Sequence, residues 1–240
     1  MTDRTPPVHH IGHEDHRGIS GGQARAAVFG FSDGLVSNVS LVLGVAGSSA
    51  GPDFVRLAGV AGLVAGAVSM AAGEYVSMQA QRELLERELA IERRELARNP
   101  EAETRELAGI YRSRGVEAET AQTLAEEMMR DPEVALEVHA REELGVDPSD
   151  LGSPVGAALA SLVAFAAGAA IPVVPWFFGS GTAAIVASLL LGLMAALAAG
   201  AVLGVVTERS RVRSALRQAG IMIGASAVTY AIGAAIGVSV

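Results

Sequence analysis

Five stretches of this chain are apolar and nearly free of charge, and each is long enough to cross a bilayer as a helix, which takes roughly 20 residues. Residues 26–50 hold a single charged side chain, Asp33, and residues 57–81 a single one, Glu74. Residues 155–178, 179–206 and 218–240 hold none. This pattern predicts an all-α, polytopic membrane protein with five transmembrane helices. Gly179-Ser180-Gly181-Thr182 separates the third span from the fourth and reads as a tight hairpin. Pro172 and Pro175 are expected to bend the outer end of the third span. No segment shows the period-two alternation of a half-buried strand.

Between the second and third spans the pattern turns polar. Residues 82–98 (RELLERELAIERRELAR) are strong helix formers. No Gly or Pro interrupts the chain from Val76 to Arg98, so the second span is predicted to run on beyond the membrane as one helix. Asn99-Pro100 ends that helix and opens the next. Further helices are expected at about 101–113, 117–130 and 133–144, broken at Arg114-Gly115 and Asp131-Pro132 and stopped by Gly145. The predicted organisation is a polar tail over 1–24, two spans over 25–81, an acidic helical domain over 82–153, and three spans over 154–240.

Charge orients this arrangement. From Arg82 to Asp147 there are eighteen acidic residues and ten Arg, a net of −8, and the rest of the chain balances eight against eight. The full formal charge of −8 therefore sits in the central block. Such a block repels nucleic acid and anionic lipid and attracts cations, so no nucleic-acid partner is expected. Arg209, Arg211, Arg213 and Arg217 cluster between the fourth and fifth spans. Positive-inside logic places them in the cytoplasm. Five spans then put the N-terminus and the acidic domain inside and the C-terminus outside. Arg17 and Arg25 agree, and Arg56, beside Asp53 in the first outer loop, dissents.

Composition narrows the chemistry. The chain is 50% hydrophobic and only 18% charged, against about a quarter charged in soluble domains, and carries 28 Gly suited to close helix packing. Zero Cys excludes disulfides, thiolate metal sites and a cysteine nucleophile. All 18 basic residues are Arg. Residues 1–24 show no signal-peptide pattern. With the Ala and Gly richness, these features point to a bacterial plasma membrane.

The two acids inside the spans draw attention first. A carboxylate at bilayer depth costs at least about 2.5 kcal/mol unless it faces a cavity, a partner or an ion. Glu74 shares a helix face with Met70 and Met78, at i−4 and i+4. Carboxylate oxygen with thioether sulfur suits a borderline transition metal better than Mg²⁺ or Ca²⁺. The plainer reading of the Met stripe is packing. In the acidic block, Glu92/Glu95 and Glu103/Glu106 are two i, i+3 pairs on helices hinged at Asn99-Pro100, a layout that brings four carboxylates face to face as in helical-bundle metal sites. A block with eighteen acids also yields such pairs by chance, and then they are a solvated face. His9, His10, His13 and His16 form a His-rich tail of a kind that binds metals. Met128-Met129 reads as core packing. Gly62/Gly66, Gly200/Gly204, Gly220/Gly224 and Gly233/Gly237 read as close-packing pairs.

Three motifs together resemble the vacuolar iron transporter family: Asp33-Gly34-Leu35-Val36-Ser37-Asn38, Ser69-Met70-Ala71-Ala72-Gly73-Glu74-Tyr75, and Arg141-Glu142-Glu143-Leu144-Gly145. The resemblance covers about residues 24–240 and includes the order of five spans with an acidic insert after the second. It implies a homodimeric Fe²⁺/H⁺ exchanger, not an enzyme, with its pore at the dimer interface and a cytoplasmic metal-binding domain. By resemblance, Asp33 and Met70 are the pore acid and pore Met. Glu92, Glu95, Glu103, Glu106 and Glu143 are the glutamates of the metal-binding domain. Two departures stand out. Plant-like members have Glu where this chain has Gly62 and Gly where it has Glu74, and they have a Met pair where it has His139-Ala140. His139 is itself a good ligand for Fe²⁺ or Zn²⁺.

The expected function is export of Fe²⁺, with Mn²⁺ or Zn²⁺ as further cargo, from the cytosol against protons. No prosthetic group is expected. Asp33, Met70, Glu74 and Met78 are the expected pore residues; Glu92, Glu95, Glu103, Glu106, His139 and Glu143 are the expected metal ligands. The alternative is a non-transporting membrane scaffold or metal sensor whose acidic helices bind a partner, for which Asp33 and Met70 are dispensable. A membrane hydrolase fits poorly, because the spans contain no Ser-His-Asp or HExxH arrangement.

Overall fold

The computed structural model describes residues 22–237. Among them the chain forms helices and no strand: α1 (Gly22–Gly47), α2 (Pro52–Arg98), α3 (Pro100–Ser113), α4 (Ala118–Met128), α5 (Pro132–Glu142), α6 (Pro154–Val173), α7 (Pro175–Phe178), α8 (Gly181–Val206) and α9 (Arg211–Gly237). Five segments are long and apolar enough to cross a membrane, namely α1, α2, α6 with α7, α8 and α9. They coincide with the five predicted spans. The tail histidines His9, His10, His13 and His16 lie outside the described residues.

Helix α1 is the hub, lying against α2, α6, α8 and α9. Of its most apolar window 44% is buried, against 17% in α2 and in α9, which leaves those two helices with open faces. Leu35, Val39 and Leu43 of α1 pack with Ala196 of α8 and Met222 of α9. Towards α6 the contact is backbone on backbone. A Cβ on Gly30 would stand 2.8 Å from the Ser161 carbonyl oxygen, one on Gly34 would overlap the Phe165 carbonyl, and one on Gly168 would overlap the Phe31 carbonyl. Lipid offers helices no hydrophobic drive to associate, so van der Waals contact at such small residues holds the crossing. Gly200 and Gly204 bring α8 equally close to Ser214 and Arg211 of α9. Gly220 and Gly224, expected to form a close-packing pair, have nothing within 4 Å of where a side chain would begin.

The outer end closes as the prolines suggest. Helix α6 stops after Pro172 and Val173, and Pro175 opens the short α7. The Trp176 indole donates to Ser188 Oγ at 3.0 Å, and that hydroxyl donates to the Pro172 carbonyl at 2.7 Å, tying α7 and α6 to α8.

At the other end α2 runs unbroken for 47 residues, so one rod joins the bundle to the acidic helices. Asn99 interrupts it and Pro100 takes the first position of α3, where its missing N–H is no loss. The carboxylates of Glu117 and Asp131 accept backbone N–H bonds at the starts of α4 and α5. Leu107, Ala108 and Ala125 form a small core, with Met128 packed against it as expected of that residue.

The crossing of α1 on α6 makes a sharp expectation. Gly168→Ala should cost about 1–3 kcal/mol, because its methyl meets backbone that cannot rotate away. Gly220→Ala, with open space around it, should leave thermal unfolding in detergent unchanged. Equal melting temperatures for the two variants would show that the crossing tolerates a methyl and is not set by Gly168.

Candidate metal centres

The first centre lies where α2, α3 and α5 meet. Glu92 comes from the distal end of α2, Glu103 from the first turns of α3, and His139 from α5. All three are buried, at 4%, 8% and 0% exposure, and one ligand atom from each lies within 4.8 Å of the others. Ligands about 2.1 Å from a shared ion are at most roughly 4.2 Å apart, so closing on an ion needs only a few tenths of an ångström. Glu92 Oε1 is buried with no hydrogen-bond partner, an expensive state for a carboxylate without a cation.

The imidazole is oriented for ligation. Its Nδ1 lies 2.8 Å from the Ala135 carbonyl, one turn back on α5, and its Nε2 lies 3.4 Å from the Glu103 carbonyl. A neutral ring has one N–H, and the shorter contact assigns it to Nδ1. The Nε2 lone pair is then left for a cation, with the ring held by a backbone acceptor in the way metal-binding histidines usually are.

Glu95, Glu106 and Glu143 are exposed around this group. They still belong to it electrostatically. Burial pushes the Glu92 carboxyl up to about 7, and repulsion from Glu143, Glu103 and Glu95 adds to the rise while His139 opposes it. Burial raises Glu103 as well, followed by repulsion from Glu106 and Glu95. Glu143 rises through burial and then through Glu106, Glu103 and Glu95. The structure thus brings all six of the domain residues singled out in the sequence into one field, three buried and three at the rim.

The second candidate centre is an open groove on the bundle. Asp33 and Met70, from α1 and α2, border one cavity of about 360 Å³, together with Ser37, Asn38, Gly62 and Ser69. Asp33 also borders a second, mainly apolar cavity of about 530 Å³ towards α8 and α9. Ser37 Oγ donates to the Asp33 carbonyl at 2.5 Å, a bond within α1 that leaves the carboxylate free. The other two residues of the stripe sit elsewhere. Glu74 accepts from Arg25 Nη2 at 3.1 Å, an ion pair between α2 and α1. Met78 is buried at 7% exposure against Ala26 and Ala157, where α1, α2 and α6 converge.

Asn38 was not singled out in the sequence. It is 2% exposed, and its Nδ2 donates to the Gly59 carbonyl at 3.1 Å and the Ala169 carbonyl at 2.6 Å. Two carbonyl acceptors on one side fix which amide atom is nitrogen, and Oδ1 is left buried with no partner. Leaving such an acceptor unpaired costs about 1–3 kcal/mol. An amide within an apolar span is the signal that could have revealed it. The Arg25–Glu74 pair had no comparable signal, because 49 positions separate the partners.

Comparison with known proteins bears on what these centres serve. A sequence profile described as the VIT family matches residues 24–234. The chain belongs to the VIT family. It is 32% identical over 224 residues to vacuolar iron transporter 1 of Eucalyptus grandis, spanning 93% of this chain and 89% of that one. It is 29% identical over 219 residues to vacuolar iron transporter 1 of Arabidopsis thaliana, spanning 91% and 88%. To the vacuolar iron transporter of Acanthamoeba castellanii it is 39% identical over 161 residues, 66% of this chain and 58% of the other. A VIT-family chain with five apolar spans is an integral membrane protein of a transporter family, not an enzyme.

The raised carboxyls of this VIT-family chain dictate a pH dependence. An incoming divalent cation needs the carboxylate and must displace the proton that burial favours on Glu92. Affinity of the full-length protein for Zn²⁺ or Mn²⁺ should therefore be flat above Glu92's value of about 7 and fall as pH drops through it. The fall should approach roughly tenfold per pH unit for each proton displaced. Calorimetry from pH 8 to 6 reads this directly, and Glu92→Gln should flatten the profile near 7. An unchanged profile in that variant would remove Glu92 from the ligand set.

Proposed function

We propose that this chain carries Fe²⁺, and with it Mn²⁺ or Zn²⁺, out of the cytosol in exchange for protons, as a homodimer with its metal path at the interface. The observation that carries this reading is the open groove shared by Asp33 and Met70, an acid and a soft sulfur from two helices placed together on an apolar bundle. That donor pair suits Fe²⁺, and the relatives are named iron transporters. The α2–α3–α5 group gathers the ion beforehand: Glu92, Glu103 and His139 hold it, and Glu95, Glu106 and Glu143 attract it from the rim. The Arg-rich turn between α8 and α9 puts this end in the cytosol by the positive-inside rule, with the N-terminus inside and the C-terminus outside. The all-Arg composition favours a bacterial plasma membrane as the setting.

Within the bundle, Asp33 and Met70 hold the metal, while Glu74 gives up its proton to an arriving ion and so couples the two fluxes. Glu74 stands between the gathering group and Asp33 as a relay. Arg25 occupies it until an ion or a proton takes its place. Met78 serves the helix packing at that mouth. The second copy covers α2, whose Val60, Val64, Val68 and Tyr75 leave an apolar ridge open.

Metal flux into proteoliposomes, followed with a pH-sensitive dye, tests the reading. Asp33→Ala should reduce flux to background while the protein stays folded. Met70→Ala should slow Fe²⁺ more than Mn²⁺, because thioether sulfur favours the softer ion. Glu74→Gln should still transport but lose its response to the pH gradient. Parent-level flux in Asp33→Ala would sink the pore assignment and favour a metal-sensing or scaffolding role for the acidic helices.

A further inference from the structure

Asn38 is clamped by its nitrogen: Nδ2 donates to the Gly59 carbonyl of α2 and to the Ala169 carbonyl of α6. Those bonds settle the orientation of the amide, and its Oδ1 then faces α2 at Gly62, where a Cβ would stand only 2.8 Å away. With no side chain at Gly62, the oxygen faces helix backbone, and a Leu41 methyl group lies beside the same position. Oδ1 is buried and accepts nothing. The same cavity that Asp33 and Met70 border extends to Asn38 and Gly62. At about 1.5 Å of rise per residue, Asn38 lies about 7.5 Å further along α1 than Asp33, away from the acidic end.

We propose that Asn38 Oδ1 is the next ligand on the metal path: a divalent cation leaving Asp33 and Met70 binds this amide oxygen on its way to the outer face. The inference rests on the reading of Asp33 and Met70 as the path. Its chemistry follows from the clamp. An amide oxygen fixed in place replaces one water of the ion's shell without moving. It carries no full charge, so it holds the ion weakly and lets it go, as conduction through successive sites requires. A carboxylate in this position would retain a divalent cation far more tightly. Because both Nδ2 protons are engaged, the amide cannot turn its nitrogen towards the ion without breaking two bonds in the apolar interior.

The test exploits the composition, since Asn38 and Asn99 are the only asparagines in the chain. Asn99→Ser leaves Asn38 as the sole asparagine, at a helix start where Asn99 makes no side-chain cap bond. Full-length protein carrying Asn99→Ser and labelled with ¹³C at the asparagine side-chain carbonyl is compared by infrared difference spectroscopy with and without Mn²⁺. Coordination through Oδ1 should move the labelled C=O band to lower wavenumber. The same measurement on Asp33→Ala isolates the carboxylate bands of Asp33. A labelled band that stays put while the Asp33 bands respond to Mn²⁺ overturns the role of Asn38 and leaves the path intact. If neither set responds and Asp33→Ala transports like the parent, the path itself is wrong, and the proposal falls with it. Because the native Asn38 is retained throughout, no outcome depends on whether a variant at that position folds.

Discussion

The seat of α1 on α6 is the contact on which the rest of the bundle depends. At Gly30, Gly34 and Gly168 the two helices meet without side chains between them, and any Cβ there would strike a carbonyl of the other helix. Packing this close leaves no freedom to slide or rotate. Asp33 precedes one of these glycines directly, so its azimuth around α1 is set by the crossing. Asn38 adds a polar rivet one turn on, joining α1 to both α2 and α6 through their carbonyls. A carboxylate in an apolar bundle is useful only where it faces space, and the crossing is what makes it face space.

The acidic helices solve a different problem with different means. Water surrounds them, so close packing of glycines is unnecessary and a modest apolar core around Leu107 suffices. What needs holding is charge. The unbroken α2 carries Glu92 to a fixed height, Asn99-Pro100 folds α3 back against it, and His139 enters from α5. Burial then raises the carboxyl groups, so that under the proposed function a cation bound here displaces protons at ordinary pH. The rim glutamates Glu95 and Glu106 reinforce this field from solvent without being buried themselves.

Most of the fold was legible because lipid imposes an all-or-none rule: a long uncharged stretch must be a helix, and Gly, Pro and Asn punctuate what lies between. The helices of the acidic block began and ended within a few residues of the breaks read from Asn99-Pro100 and Asp131-Pro132. The stripe of Met70, Glu74 and Met78 was legible as one face, but its division was not. Periodicity places residues on a side of a helix and says nothing of what stands opposite. Opposite Met70 is a cavity, opposite Glu74 is Arg25, and opposite Met78 are Ala26 and Ala157. One glycine pair failed in the same way: Gly220 and Gly224 have the spacing for close contact, but among the described residues nothing lies within 4 Å of where their side chains would begin. Asn38 was passed over because single uncharged polar residues are common in spans. Its amide was the available signal, and its burial and two carbonyl partners are what separate it from such residues.

The two centres also differ in how strongly they can hold an ion, and that difference bears on direction under the proposed function. The α2–α3–α5 group offers two buried carboxylates and an imidazole with three more carboxylates around it, a strongly anionic site. The bundle cavity offers one carboxylate, a thioether and neutral oxygens. An ion moving from the first to the second therefore moves towards weaker binding and needs a second source of free energy. Protons running inward through Glu74 supply it, since a proton and the metal compete for that carboxylate. The Arg25–Glu74 pair lies between the two. An arginine at that point repels a cation unless Glu74 balances it, so on the proposed path the pair makes passage conditional on which partner Glu74 holds. The sequence of strong site, conditional relay and weak site is what an exchanger needs if the inward run of protons is to drive metal outward.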